Sequence, residues 1–89
     1  MEKSVIYTKD NCKFCVQAKA VMNRRGIAYE EKKIQSDSDR EELLNLLPHI
    51  KTLPQIFISG VYVGGATELQ QLEDDDRLFI NKAGNVIIQ

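Results

Sequence analysis

Residues 4–25 read SVIYTKDNCKFCVQAKAVMNRR, and the change of pattern inside that stretch decides the fold. Ser4 to Thr8 is β-branched and aromatic, the composition of a strand, and it ends at the polar turn Lys9-Asp10-Asn11. From Lys13 to Arg25 the apolar spacing becomes helical, which puts Phe14, Ala18, Val21 and Met22 on one face, with Gly26 as a C-cap. Cys12 and Cys15 fall at the junction of strand and helix.

The same alternation continues outward from this unit. Ile27 to Ile34 is charged but β-compatible, as expected of a strand near a sheet edge. Ser36 to Asp39 offers several N-caps, and Ser38 with Glu41 fits a capping box. The helix that follows carries Leu43, Leu44, Leu46 and Leu47 and stops at Pro48. Gln55 to Ser59 and Val61 to Val63 read as two strands about a tight Ser59-Gly60 turn. Gly64-Gly65 ends the second, and Thr67 with Gln70 is a further capping box, opening a helix near Glu68 to Leu72. The order β-α-β-α-β-β-α predicts an α/β fold. Its first three elements form a right-handed parallel crossover, and a four-stranded mixed sheet is flanked by helices. Residues 78–80 and 86–88 flank a turn-rich segment and predict a C-terminal hairpin; the alternative is a helix end at 78–80. One domain spanning 1–89 is expected, with a core at 3–72 and a C-terminal extension at 73–89.

Composition excludes several function classes. Twelve basic and thirteen acidic residues leave a formal charge of −1, which supplies no general drive toward nucleic acid or an anionic membrane. No apolar run approaches the roughly 20 residues that span a bilayer. The start of the chain carries no targeting pattern before Val5, so a cytoplasmic, reducing location is expected. The charge is unevenly spread: residues 1–25 hold six basic and two acidic residues, and residues 66–76 hold five acidic and none basic.

Cys12-Lys13-Phe14-Cys15 carries the chemistry. A bridge between cysteines three apart closes almost no loop, so it is a poor staple. At a helix start, Cys12 meets unsatisfied N–H groups and the positive end of the dipole, which favour the thiolate nucleophile. Lys9 and Lys13 add positive charge, and Cys15, one turn on, can resolve a disulfide formed at Cys12. Half a zinc site has the same spacing, but only His49 and carboxylates remain as further ligands, so no metal is expected. Two inert core cysteines are the remaining alternative. Thr52-Leu53-Pro54 precedes the third strand, and Pro54 is either an ordinary trans proline or a cis one that turns the Leu53 backbone outward.

With Tyr7-Thr8-Lys9, Cys12-Lys13-Phe14-Cys15, Thr52-Leu53-Pro54-Gln55-Ile56-Phe57-Ile58 and Gly64-Gly65-Ala66-Thr67-Glu68-Leu69 in this order, the chain resembles the dithiol glutaredoxins from about residue 3 to residue 72. The resemblance implies the thioredoxin fold, a cis Pro54 and glutathione as reducing co-substrate. It implies glutathione contacts at Lys9, Phe14, Lys51, Thr52, Leu53, Pro54, Gly65, Thr67 and Glu68. Lys9 and Lys51 would take the glycyl carboxylate, the Leu53 backbone the cysteinyl unit, and Thr67 and Glu68 the γ-glutamyl end. Gly65 would admit the ligand closely and Phe14 would form an apolar wall. Client proteins with disulfides are the implied partners, ribonucleotide reductase a candidate among them, and a monomer is expected. Two other readings are a redoxin recharged by thioredoxin reductase and an iron–sulfur cluster carrier. Lys13 and Phe14 stand where many dithiol members have Pro and Tyr, and Leu53 replaces the more usual Val.

Overall fold

The computed structural model describes residues 3–89; the first two residues, on which the reading of the chain's start partly rests, lie outside the described residues. The elements run β1 (Ser4–Thr8), α1 (Lys13–Arg24), β2 (Tyr29–Lys33), α2 (Asp37–Leu46), β3 (Gln55–Ile58), β4 (Val61–Gly64), α3 (Ala66–Asp74), β5 (Leu78–Ile80) and β6 (Val86–Ile88). Strands β2-β1-β3-β4 form one sheet, with β1–β2 parallel and the other two pairings antiparallel. This is the expected mixed sheet, and β2 is one of its edges. Ser59 and Gly60 both take positive φ, +49° and +83°, the geometry that a two-residue hairpin between twisted strands demands.

Strand alternation sorts the core. Ile6, Ile56 and Ile58 face α1 and α3, where Ala18, Val21, Met22, Ala66 and Leu69 close a solvent-free cluster. Each fully buried Ile, Val, Leu or Met side chain there contributes about 1.5–3 kcal/mol of transfer free energy. The opposite face carries an aromatic row, with Tyr7 edge-on to Phe57 at 6.2 Å and Phe57 tilted on Tyr62 at 5.3 Å. Lys32 lies 5.8 Å from the Tyr7 ring centre and 3.7 Å from the Glu42 carboxylate, which places α2 on that side.

Several local expectations are corrected. The buried face of α1 is Cys15, Ala18, Val21 and Met22; Phe14 points outward and is 56% exposed. Helix α2 is capped by Ser36, whose Oγ accepts from Asp39 N–H at 3.1 Å, rather than by Ser38. Of its leucines only Leu43 is fully buried. Helix α3 begins at Ala66, with Gly65 as N-cap: Gly65 N–H donates to Glu68 Oε1 at 2.7 Å, so Glu68 supplies the cap that Thr67 and Gln70 were expected to form.

The tail is a hairpin, but β5–β6 is a separate two-stranded sheet that does not extend the main one. Asn81 Oδ1 accepts from Ala83 and Asn85 N–H and holds its turn. Ser59 Oγ donates to Val86 O at 3.0 Å, and Leu78 and Val86 join the core cluster. The tail therefore completes the core. A cluster of charges secures α1 to α3: Glu73, its side chain 10% exposed, accepts from Arg24, Arg25 and Gln70. Those bonds, the Arg24 one first, hold its carboxyl down at about 2.

Candidate functional site

Cys12 is the N-cap of α1, with extended backbone (φ −112°, ψ 104°), and its Sγ accepts the Cys15 N–H at 3.2 Å. A helix start leaves its first amide hydrogens without intrahelical acceptors, and here a sulfur takes one of them. Cys12 is partly open whereas Cys15 is 2% exposed. The two are joined as a disulfide, Cα–Cα 5.2 Å, so the pair can exist oxidised without the backbone opening. The arrangement separates an accessible sulfur, seated on a helix-start N–H, from a shielded one bonded to it.

The Leu53–Pro54 bond is cis, and the Leu53 carbonyl oxygen lies 3.7 Å from Cys12 Sγ. Among the described residues neither the N–H nor the C=O of Leu53 bonds to another backbone group outside the regular elements. On the other side of this loop stands Gly65: a Cβ there would lie 3.3 Å from the Pro54 carbonyl oxygen. A side chain at this position would press on the Pro54 carbonyl, a packing reason for a small residue beside the expected ligand approach. Cys12, Leu53-Pro54 and the start of α3 are brought together from three distant stretches of sequence.

Two depressions flank Cys12. One is a groove lined by Lys9, Arg40, Lys51 and Thr52 at its rim, by Ile34, Leu43, Leu44 and Ile50 on its floor, and by Leu53 at its edge. The other, around the cysteines, includes Lys9, Asp10, Lys13, Lys19, Glu31 and Lys33. Lys19 is paired with Glu31 and Lys33 with Asp10, both at 3.1 Å. Among the described residues Lys9, Lys13, Arg40 and Lys51 make no ion pair. The uncompensated charge beside Cys12 is therefore positive, which suits an anionic ligand.

Of the expected site residues, Lys9, Lys51, Thr52 and Leu53 gather along the groove, and Pro54 lies buried behind them. Gly65, Thr67 and Glu68 stand together at the N-terminus of α3. Phe14 lines neither depression and stands exposed on the first turn of α1. Sequence reasoning missed Arg40, although a lone cation between Asp37-Ser38-Asp39 and Glu41-Glu42 was a visible signal. It also missed Glu31. The Thr8 hydroxyl at 2.7 Å and the Lys19 ammonium at 3.1 Å hold that carboxyl below its ordinary range. Among the described residues no group of three or more His, Cys, Asp or Glu side chains converges as a metal site.

Comparison with known proteins agrees with this geometry. The glutaredoxin family model matches residues 5–63. A curated relative, Glutaredoxin 1 of Rickettsia bellii, is 38% identical over 80 residues, covering 83% of this chain and 80% of its own. The crystal structure of glutaredoxin 1 from Francisella tularensis, complexed with cacodylate, superposes with a TM-score of 0.71 at 33% identity, covering 83% of this chain and 94% of that one. A buckwheat glutaredoxin–glutathione complex superposes with a TM-score of 0.71 at 25% identity, covering 82% of this chain and 69% of that one.

Proposed function

Because this chain belongs to the glutaredoxin family, and is with that family a thiol–disulfide oxidoreductase, we propose that it reduces protein disulfides and glutathione mixed disulfides through Cys12 and Cys15 with glutathione as reductant. The observation that carries this reading is the Cys12 sulfur at the N-cap of α1, accepting the Cys15 N–H at 3.2 Å. That bond and the helix dipole stabilise negative charge on Cys12 in the reduced protein. The thiolate attacks one sulfur of a substrate disulfide and the other leaves as a thiol. Cys15, once deprotonated, then attacks the Cys12 sulfur, forming the intramolecular bridge and releasing the second thiol. One glutathione thiolate opens that bridge at Cys12, freeing Cys15. A second attacks the bound glutathione sulfur, releasing oxidised glutathione and the Cys12 thiolate.

Glutathione lies along Leu53 with its cysteinyl backbone paired to the open N–H and C=O there. Its glycyl carboxylate meets Lys9 and Lys51, to which the groove adds Arg40. Thr52 and Pro54 shape the loop that carries Leu53. The γ-glutamyl carboxylate takes the free N–H groups at the start of α3 with Thr67. Glu68 caps α3 through one oxygen and offers the other to the ammonium. Phe14 reaches a client from the exposed turn rather than from the wall of a cleft. The whole of 1–89 acts as one domain, in which the tail supplies part of the core.

The test is a pair of variants assayed with glutathione, glutathione reductase and a glutathione mixed disulfide. Cys12→Ser abolishes turnover, while Cys15→Ser retains it on that substrate and loses it on protein disulfides. Turnover retained by Cys12→Ser would refute the mechanism.

A further inference from the structure

The groove beside Leu53 contains more than glutathione uses. The tripeptide ends in glycine, so its carboxylate can engage the cationic rim but no side chain reaches the floor of Ile34, Leu43, Leu44 and Ile50. Leu43 is fully buried, but Leu44 is 36% exposed and Ile34 and Ile50 are half-buried. This is partly wet apolar surface enclosed by three cations without ion-pair partners among the described residues. The groove is continuous with the reacting centre through Leu53, whose carbonyl lies 3.7 Å from Cys12 Sγ.

We propose that this groove selects client polypeptides whose disulfide-bonded cysteine is followed by an acidic, a large aliphatic and a second acidic residue. The proposal rests on the glutathione reading above, which fixes direction: the glycyl end lies toward Lys9 and Lys51, so a longer chain continues past them in its C-terminal direction. An extended chain paired with Leu53 places alternate side chains on the same face. With the client cysteine directed at Cys12, the second residue beyond it points into the floor, and an aliphatic side chain there covers Leu44 and Ile50. The first and third residues stand on the opposite face, directed out of the groove, and their long carboxylate side chains lie within the field of the exposed Lys9, Arg40 and Lys51. Charge complementarity and continuity with the thiol site thus specify one occupant.

The test uses two blocked peptides, Ala-Cys-Glu-Leu-Glu and Ala-Cys-Glu-Ser-Glu, each held as a mixed disulfide with 2-mercaptoethanol. Turnover is followed as NADPH consumed through glutathione reductase, with a glutathione mixed disulfide run in parallel. The wild-type chain should favour the leucine peptide by about tenfold in kcat/KM, the discrimination expected of one partly enclosed aliphatic side chain. Leu44→Ser, on an exposed helix face, should bring the ratio near one. A ratio near one in the wild type, with the glutathione mixed disulfide turned over normally, would overturn this proposal alone. No turnover of the glutathione mixed disulfide would remove the functional reading and this proposal with it. A concentration-dependent dimer in sedimentation, abolished by Leu44→Ser and not displaced by the leucine peptide, would assign the groove to a second copy of the chain and overturn it too.

Discussion

Replacing Glu73 with Gln removes a charge that joins the end of α1 to α3. The carboxylate accepts from Arg24 Nη2 at 2.6 Å and Nε at 3.1 Å, from Arg25 Nε at 3.0 Å and from Gln70 at 3.0 Å. Its folded pKa of about 2, against an ordinary 4.5, corresponds to an upper bound of roughly 3 kcal/mol at neutral pH. Arg24 and Arg25 are 55% and 34% exposed, so solvent screening reduces the expected loss to about 2 kcal/mol. For a chain of this size that lowers Tm by about 8–16 °C. The sign with pH is fixed, because a carboxylate whose pKa is depressed on folding stabilises fully above its unfolded value. The stabilisation is lost as pH falls from about 4.5 toward 2. Urea unfolding of both proteins from pH 7 to pH 2 should therefore give a difference that is constant down to about pH 5 and gone near pH 2. Equal stability at pH 7, or a difference unchanged at pH 2, would show that the ion cluster does not hold the helices together.

Gly64→Ala is expected to destabilise by about 1–3 kcal/mol in denaturant unfolding. The reason is geometric: φ is +119° and the added Cβ would meet Glu68 Oε1 at 2.8 Å; an unchanged midpoint would contradict it. Lys9→Ala, Arg40→Ala and Lys51→Ala should each raise KM for a glutathione mixed disulfide about two- to fivefold at low salt, with smaller effects at high salt. A salt-independent effect would exclude a carboxylate contact. Alkylation of the reduced chain against pH should show Cys12 reacting with a midpoint below that of an ordinary thiol, since its sulfur sits on the Cys15 N–H. A midpoint at or above the ordinary thiol value would refute that assignment.

The sheet and its three flanking helices were legible because their signals are local. β-branched runs, a helical apolar spacing and the positive-φ turn at Ser59-Gly60 each determine a short element without reference to its neighbours. The caps were less legible, since Ser36, Ser38 and Thr67 all have suitable hydroxyls and the choice among them depends on where the incoming chain turns. Glu68 caps α3 because the chain enters through Gly64 and Gly65, which bring a free N–H onto its carboxylate. Phe14 was misplaced because helical periodicity alone does not say which side of α1 meets the sheet; Cys15 occupies that side. The cysteine pair and Leu53-Pro54 could be read from motif and order. Arg40 stands out in the sequence as a lone cation among carboxylates, but its place on the groove, and the groove itself, arise only when α2 is laid beside the loop that carries Leu53.

The central claim is that glutathione recharges Cys12. Oxidised chain, with Cys12 and Cys15 bridged, should be reduced rapidly by glutathione with glutathione reductase and NADPH, and only slowly by thioredoxin reductase with NADPH. Rapid reduction by thioredoxin reductase, with glutathione inert, would contradict the account.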